Sequence, residues 1–204
     1  MADFKTEQES FWAGRFGDEY SERNNDENLV NGNIGLFSDI FRNTKDISSL
    51  IEFGANIGLN LVAIRNIMPR VDMSAVEINA HAADSLRKLG NIEVYNDSIL
   101  NFKPDRQRDL VLVKGVLIHM NPSVLRDVFA VLYNSSRKYI CLVEYYNPTP
   151  VEVSYRGNLD KLFKRDFAGD FMDMYPSVHL LDYGFKYHRD DGFYDDLNWF
   201  LLQK

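Results

Sequence analysis

The chain has few of the features that mark secreted, membrane-bound or nucleic-acid-binding proteins. Cys141 is the single cysteine among 204 residues, which excludes an intramolecular disulfide and favours a reducing compartment. Its 30 acidic residues outnumber its 23 basic ones, and the net charge of −7 argues against nucleic acid as the main partner. The chain has no run of ~18 apolar residues and no signal-peptide pattern at its start. We therefore expect a cytoplasmic protein with no membrane partner.

The sequence also lacks several motifs that carry chemistry. His81, His179 and His188 show no ligand spacing with one another or with Cys141, so we expect no metal site. Neither the G-x-S-x-G pattern nor a P-loop occurs. Cys141 lies inside an apolar run, which is typical of an inert buried thiol rather than of a nucleophile.

The hydrophobic pattern predicts one α/β domain over residues 1–204. Continuous apolar runs, typical of strands buried on both faces, occupy residues 48–53, 73–78, 92–95, 109–113 and 139–144. Helical segments are expected at residues 33–44, 57–68 and 80–89 and after Pro122. Strands that alternate with such helices favour a parallel sheet with helices on both faces.

Two apolar-aromatic stretches close the sequence. HLLDYGFKY begins at His179, NWFLLQ ends at Gln203, and the polar loop Arg189–Asp196 separates them. This arrangement is typical of an antiparallel hairpin. We therefore predict a doubly wound, seven-stranded, mostly parallel sheet with a C-terminal antiparallel hairpin, preceded by N-terminal helices.

A glycine-containing turn follows the first predicted strand. The segment SLIEFGANIGLN reads as strand, turn and helix, with Glu52 at the strand end and Gly54 and Gly58 in the turn. The dinucleotide fingerprint G-x-G-x-x-G is not met, because Asn56 and Leu59 stand at its second and third glycine positions. By itself such a turn also occurs for packing reasons, so its interpretation depends on the other strand ends.

Polar residues follow the other predicted strands at the same edge of the sheet. Glu77 ends the second strand, 25 residues after Glu52, where a carboxylate can accept both ribose hydroxyls of a nucleoside. Asp97 follows the third strand, and residues 114–119 follow the fourth. In open α/β sheets, ligands bind outside the carboxyl ends of the strands, so these residues predict a shared site.

The pattern E-x-G-x-N-x-G at residues 52–58 resembles the first motif of class I, Rossmann-like S-adenosylmethionine-dependent methyltransferases, with Asn56 in place of the middle glycine. QESFWAGRFGDEYSERN, EFGANIGLNL, GVLIHMNP, VEYYNPTP, YRG and KRDFAGDFMD are similar to segments of the methylases associated with bacterial pseudaminic acid biosynthesis. The resemblance implies S-adenosylmethionine as cofactor, S-adenosylhomocysteine as product, no metal, and a small sugar-acid or nucleotide-sugar acceptor for surface glycans.

The same resemblance implies a set of cofactor-binding residues along the predicted edge. They are Tyr20, Arg23, Asn24, Glu52, Gly54, Ala55, Asn56, Gly58, Glu77, Ile78, Asp97, Ser98, Lys114, Gly115, Val116 and His119. Asp97 would meet the adenine amino group, although a turn-forming Asp fits the sequence equally well.

Catalytic and acceptor-binding residues are expected next to this edge. His119 is the candidate general base, with contact to cofactor or substrate as the competing role. Glu144 and Tyr146 are the other catalytic candidates, and packing alone would also explain the tyrosines. The acceptor-binding candidates are Tyr145, Tyr146, Tyr155, Arg156, Lys164 and Arg165. The basic members either bind an anionic acceptor or form the solvated face of a helix.

The chain divides into three expected parts. Residues 1–45 form either a helical plug of the sheet or a lid across the cofactor, 46–145 the cofactor-binding core, and 146–204 an acceptor-side insertion with the hairpin. Two alternatives to the sugar-derivative enzyme remain: a methyltransferase of an amino or guanidino compound, and a cofactor-binding protein without turnover. The sequence does not predict the oligomeric state.

Overall fold

A computed structural model describes residues 4–189 and 195–204, and these residues contain a seven-stranded sheet. The strand order is β3-β2-β1-β4-β5-β9-β8. The strands are β1 Ser49–Phe53, β2 Asp72–Val76, β3 Ile92–Tyr95, β4 Arg108–Lys114, β5 Ser136–Glu144, β8 His179–Lys186 and β9 Leu197–Gln203. Strands β1 to β5 pair in parallel, whereas β9 is antiparallel to both β5 and β8. The predicted sheet with its C-terminal antiparallel hairpin is confirmed.

Seven α-helices accompany the sheet in the described part of the chain. They are α1 Glu7–Ala13, α2 Arg15–Arg23, α3 Glu27–Phe41, α4 Leu59–Ile67, α5 Ala80–Lys88, α6 Leu125–Ser135 and α7 Phe167–Met174. Short 3₁₀ turns span Leu117–His119 and Pro122–Val124. None of these helices combines the length and apolar character needed to cross a bilayer.

The sheet separates two apolar cores. Leu50 and Leu112 face the core on the side of α3 and α4. Ile51 and Val111 face the other core, where α6 and α7 pack. Because both faces are covered, the central strands read as continuous apolar runs in the sequence.

The N-terminal segment forms the two short helices α1 and α2 ahead of α3, as the prediction of N-terminal helices requires. Thr6 caps α1 in a capping box with Glu9, and Gly14 ends α1 and begins α2. Helix α3 starts at Glu27, six residues earlier than predicted, because the Asp26 side chain accepts a hydrogen bond from the Asn28 N–H.

The segment after β5 contains a small feature that sequence periodicity did not indicate. Strands β6 Val151–Glu152 and β7 Phe163–Lys164 form a separate two-stranded antiparallel sheet. The expected helix with Phe167 and Phe171 on one face follows it as α7. Of the polar loop predicted at Arg189–Asp196, residues 190–194 lie outside the described residues.

Candidate functional site

A cavity lies along the carboxyl ends of β1, β2, β3 and β4, and the N-terminal helices cover it. Its floor comes from the turns after these strands, and its roof comes from α1, α2 and the first half of α3. The predicted site residues that line it are Tyr20, Asn24, Gly54, Ala55, Asn56, Glu77, Ile78, Asp97, Ser98, Lys114, Gly115, Val116 and His119.

The turn after β1 is shaped by backbone that a larger residue would disturb. Gly54 has φ 71°, and a Cβ built there would lie 2.5 Å from a Val116 methyl group. The Gly54 and Ala55 N–H groups donate to the Val76 carbonyl at 2.8 and 3.3 Å. These bonds hold the turn against the end of β2 and leave its other side open to the cavity.

Asn56 stands in this turn where the resembling motif has its middle glycine. It makes two hydrogen bonds that connect the turn to other elements. Its φ of 50° lies in the left-handed region, which Asn tolerates better than most residues. Its N–H donates to Glu77 Oε2 at 2.7 Å, and its Oδ1 accepts from the Ser21 hydroxyl at 2.5 Å. The substitution therefore preserves the turn and ties it to α2.

Glu77 is held rigidly at the edge of the cavity. Its Oε1 accepts from the Asn79 N–H at 2.8 Å, and its Oε2 accepts from the Asn56 N–H. Burial raises the pKa of Glu77, and the backbone N–H groups partly oppose that rise. Each carboxylate oxygen keeps a further lone pair for a hydroxyl donor.

Glu52 lies below the cavity and ends a chain of polar side chains. Asn33 Nδ2 donates to Asn60 Oδ1 at 2.9 Å, and Asn60 Nδ2 donates to Glu52 Oε1 at 2.6 Å. Glu52 is fully buried, and its Oε2 has no hydrogen-bond partner among the residues that the structure describes. Burial raises the pKa of Glu52 to about 8. The hydrogen bond from Asn60 and the charge of Lys114 lower this pKa and so oppose part of the rise. Burial likewise lowers the pKa of Lys114, while Glu52 and Glu144 raise it in part.

His119 is a buried, neutral histidine at the other end of the cavity. Its Nδ1 lies 2.5 Å from the Lys161 carbonyl, which only accepts, so Nδ1 carries the proton and Nε2 keeps a lone pair. Burial lowers the pKa of His119 to about 4, although the hydrogen bond to the Lys161 carbonyl raises this pKa in part. Its ring packs against Trp12 and Tyr155, with centroids 4.7 and 4.8 Å away.

Solved structures share this architecture, although no family model and no curated protein sequence matches the chain. The 1,6-didemethyltoxoflavin-N1-methyltransferase of Burkholderia thailandensis, with 1,6-didemethyltoxoflavin and S-adenosylhomocysteine bound, has a TM-score of 0.70 at 10% identity, covering 100% of this chain and 92% of that one. The magnesium protoporphyrin IX methyltransferase of Synechocystis PCC 6803, with bound S-adenosylmethionine, gives 0.69 at 9% identity, covering 100% of both chains. The chain has the class I methyltransferase fold.

A third structure extends the likeness. The plantazolicin methyltransferase BpumL, in complex with a pentazolic desmethylPZN analogue and S-adenosylhomocysteine, has a TM-score of 0.67 at 13% identity, covering 97% of this chain and 94% of that one. Identities this low establish the methyltransferase fold alone. The roles of individual residues therefore depend on the geometry of this chain.

Three of the expected cofactor residues do not line the cavity in this methyltransferase fold. Glu52 lies beneath it, and Gly58, with φ 89°, is the N-cap of α4 next to Leu86. The Arg23 guanidinium lies 5.7 Å from the Phe16 ring centroid, on the outside of α2. The turn and α2 position these residues near the cavity without exposing them to it.

Glu144 and Tyr146, two of the catalytic candidates, also lie outside the cavity. Glu144 is buried, and its carboxylate accepts from the Val116 and Leu117 N–H groups at 2.9 Å each. These two hydrogen bonds therefore fix the position of the turn that carries His119. Tyr146 is 38% exposed and packs against Phe200, with centroids 5.9 Å apart.

The six acceptor-side candidates are not among the residues that line the cavity. The Tyr145 hydroxyl donates to Asp195 Oδ2 at 2.6 Å, and Lys164 Nζ lies 5.0 Å from the Tyr145 ring centroid. Tyr155 packs on His119 with Arg156 beside it, 6.0 Å from the ring centroid. Arg165 pairs with Asp170 at 2.5 Å, so its charge is already compensated.

Sequence reasoning missed several residues that line or close the cavity. They are Gln8, Glu9, Trp12, Asn33, Asn60 and Asn79. The capping pattern T-E-Q-E at residues 6–9 indicates a helix start, yet nothing local shows which strand ends that helix covers. Within residues 4–189 and 195–204, no three His, Cys, Asp or Glu side chains are grouped to hold a metal ion.

Proposed function

We propose that the chain transfers a methyl group from S-adenosylmethionine to a small molecule. The observation that carries this proposal is the cavity in which Gly54, Glu77, Asp97 and Lys114 meet at one edge of the sheet. Three structures of the same fold contain S-adenosylmethionine or its demethylated product. The product in this chain would be S-adenosylhomocysteine.

The cavity residues fit such a ligand from one end to the other. Glu77 would accept the ribose hydroxyls, because its carboxylate is fixed and keeps free lone pairs. Asp97 lies at the end expected for the nucleobase. Lys114 lines the cavity where β4 ends, and its ammonium would fit the carboxylate of an amino acid.

S-adenosylmethionine supplies an electrophilic methyl group, so the chain's own task is alignment and proton removal. His119 would accept the acceptor's proton at Nε2, since Lys161 fixes the proton on Nδ1. Glu144 would act as a positioning residue through its bonds to the turn at Val116 and Leu117. Residues 1–45, including α1 and α2, would form the lid that excludes water from the site.

The acceptor proposed first is a sugar acid or nucleotide-activated sugar used in bacterial surface glycans, modified in the cytoplasm. The support is the likeness of VEYYNPTP, YRG and KRDFAGDFMD to the pseudaminic acid-associated methylases, together with the half-buried Lys164 and the exposed Arg156 beside Tyr155. Such cations would bind a carboxylate or phosphate. Tyr145, Tyr155 and the more distant Tyr146 would complete this side.

An amino or guanidino acceptor is the second candidate. The aromatic rings of Trp12, Tyr20 and Tyr155 close the cavity at His119, and aromatic faces attract cations. A neutral His119 would then take the proton that an amine must lose before or during transfer. A cofactor-binding protein without turnover is the third reading.

The experiment that tests this function is methyl transfer from isotope-labelled S-adenosylmethionine to panels of acceptors, read by mass spectrometry. The panels are sugar acids, nucleotide sugars and amines, and the control is the His119→Gln variant. A labelled sugar-acid product supports the first acceptor, and a labelled amine supports the second. Binding of S-adenosylhomocysteine with no transfer to any panel would contradict the enzymatic function.

A further inference from the structure

Helix α1 carries a buried hydrogen-bond acceptor that no group of residues 4–189 or 195–204 satisfies. Gln8 is 3% exposed and lines the cavity, and its Oε1 has no hydrogen-bond partner. Its Nε2 donates to the Asp160 carbonyl at 2.9 Å, and this bond fixes the amide orientation because a carbonyl only accepts. A buried unpaired carbonyl is destabilising, so a hydrogen-bond donor on a ligand would remove that cost.

The contacts of the residues around Gln8 locate it within the cavity. Gln8, Glu9 and Trp12 share one face of α1, and Lys5 precedes the helix. Lys5 Nζ donates to the Leu100 carbonyl at 2.7 Å, and Glu9 is hydrogen-bonded to Ser98. The start of α1 therefore lies over the Ser98–Leu100 turn, and Gln8 lines the cavity next to the end proposed for the nucleobase. Trp12, one turn later, lies against His119.

We propose that Gln8 is a specificity-determining residue that reads the exocyclic amine of the cofactor's adenine through its Oε1. This inference rests on the proposed function. An adenine amine has two N–H groups, so Gln8 from the roof and Asp97 from the floor can each accept one. The arrangement discriminates against a 6-oxo purine, because that base would place a carbonyl oxygen against Gln8 Oε1.

Two ligands and two variants test this proposal by calorimetry. S-adenosylhomocysteine is compared with S-inosylhomocysteine, which carries an oxygen instead of the amine. Gln8→Met and Gln8→Leu remove the acceptor and keep an apolar side chain of similar size. Gln107→Met, the same change at an exposed glutamine, is the matched control.

The wild type is expected to prefer S-adenosylhomocysteine, and both Gln8 variants should reduce the ratio of the two dissociation constants about 3- to 10-fold. Gln107→Met should leave the ratio unchanged, and thermal unfolding of each variant checks the fold. If both Gln8 variants fold and the ratio of dissociation constants is unchanged in both, the inference about Gln8 is overturned and the proposed function is not. A wild type that binds neither ligand overturns the proposed function and, with it, this inference.

Discussion

Glu77 is the residue on which the cofactor site depends most directly. Two backbone N–H groups already fix its carboxylate, so binding a ligand costs no further conformational entropy of this side chain. Glu77→Ala should weaken S-adenosylhomocysteine binding by ~1–3 kcal/mol, through lost charged hydrogen bonds, as measured by calorimetry. The exposed Glu22→Ala on α2 is the control, with circular dichroism to verify the fold. Unchanged affinity in Glu77→Ala would remove this residue from the site.

Glu52 should make stability depend on pH. Its pKa is raised from 4.5 to about 8 in the folded state, so the unfolded state releases the proton first as pH rises. Stability from this group is complete below about pH 4.5 and is lost as pH rises towards 8. Glu52→Gln keeps the oxygen that accepts from Asn60 and removes the titration.

The Glu52→Gln variant should therefore gain ~3 kcal/mol of unfolding free energy relative to the wild type between pH 5 and pH 8. Denaturant unfolding at the two pH values measures this difference. The exposed Glu22→Gln variant controls for a general effect of removing one negative charge. Equal destabilisation of Glu52→Gln at both pH values would show that the carboxylate is ionised when folded.

Helix α1 covers the cavity, and the hydrogen bond between Glu9 and Ser98 is one of the contacts that attach it. Glu9 is buried, caps its own helix with Thr6 and is hydrogen-bonded to Ser98. Glu9→Gln weakens the charge-assisted bond and keeps the volume, and Ser98→Ala removes the partner.

Each single variant should speed amide hydrogen exchange in residues 7–13 by about 5- to 30-fold, equivalent to ~1–2 kcal/mol, without affecting α4. The double variant should add little to the larger single effect, because both remove the same bond. Exchange in α1 that is unchanged in every variant would show that other contacts hold the helix.

At the scale of the whole molecule, the sheet and the edge that carries the cavity were predictable from sequence. Central strands buried on both faces leave continuous apolar runs, and the polar ends of β1, β2 and β3 mark one edge. The hydrogen bonds that Glu144 accepts from the Val116 and Leu117 N–H groups were not predictable. The sequence shows an acidic residue at a strand end and does not show which backbone groups it binds.

The roof of the site was beyond sequence reasoning for a related reason. Glu9 and Ser98 are separated by 89 residues, and Gln8 and Asp160 by 152. Such contacts depend on how α1 packs over the finished sheet. The sequence predicted N-terminal helices and left open whether they plug the sheet or cover a ligand.

The central claim is that the ends of β1, β2, β3 and β4 jointly bind an adenosyl amino acid. A crystal structure of the chain with S-adenosylhomocysteine measures this most directly. The account predicts the ribose at Glu77, the adenine between Asp97 and Gln8, and the amino acid end near Lys114. Electron density for the ligand away from this edge, or with Glu77 out of contact with the ribose, would contradict it.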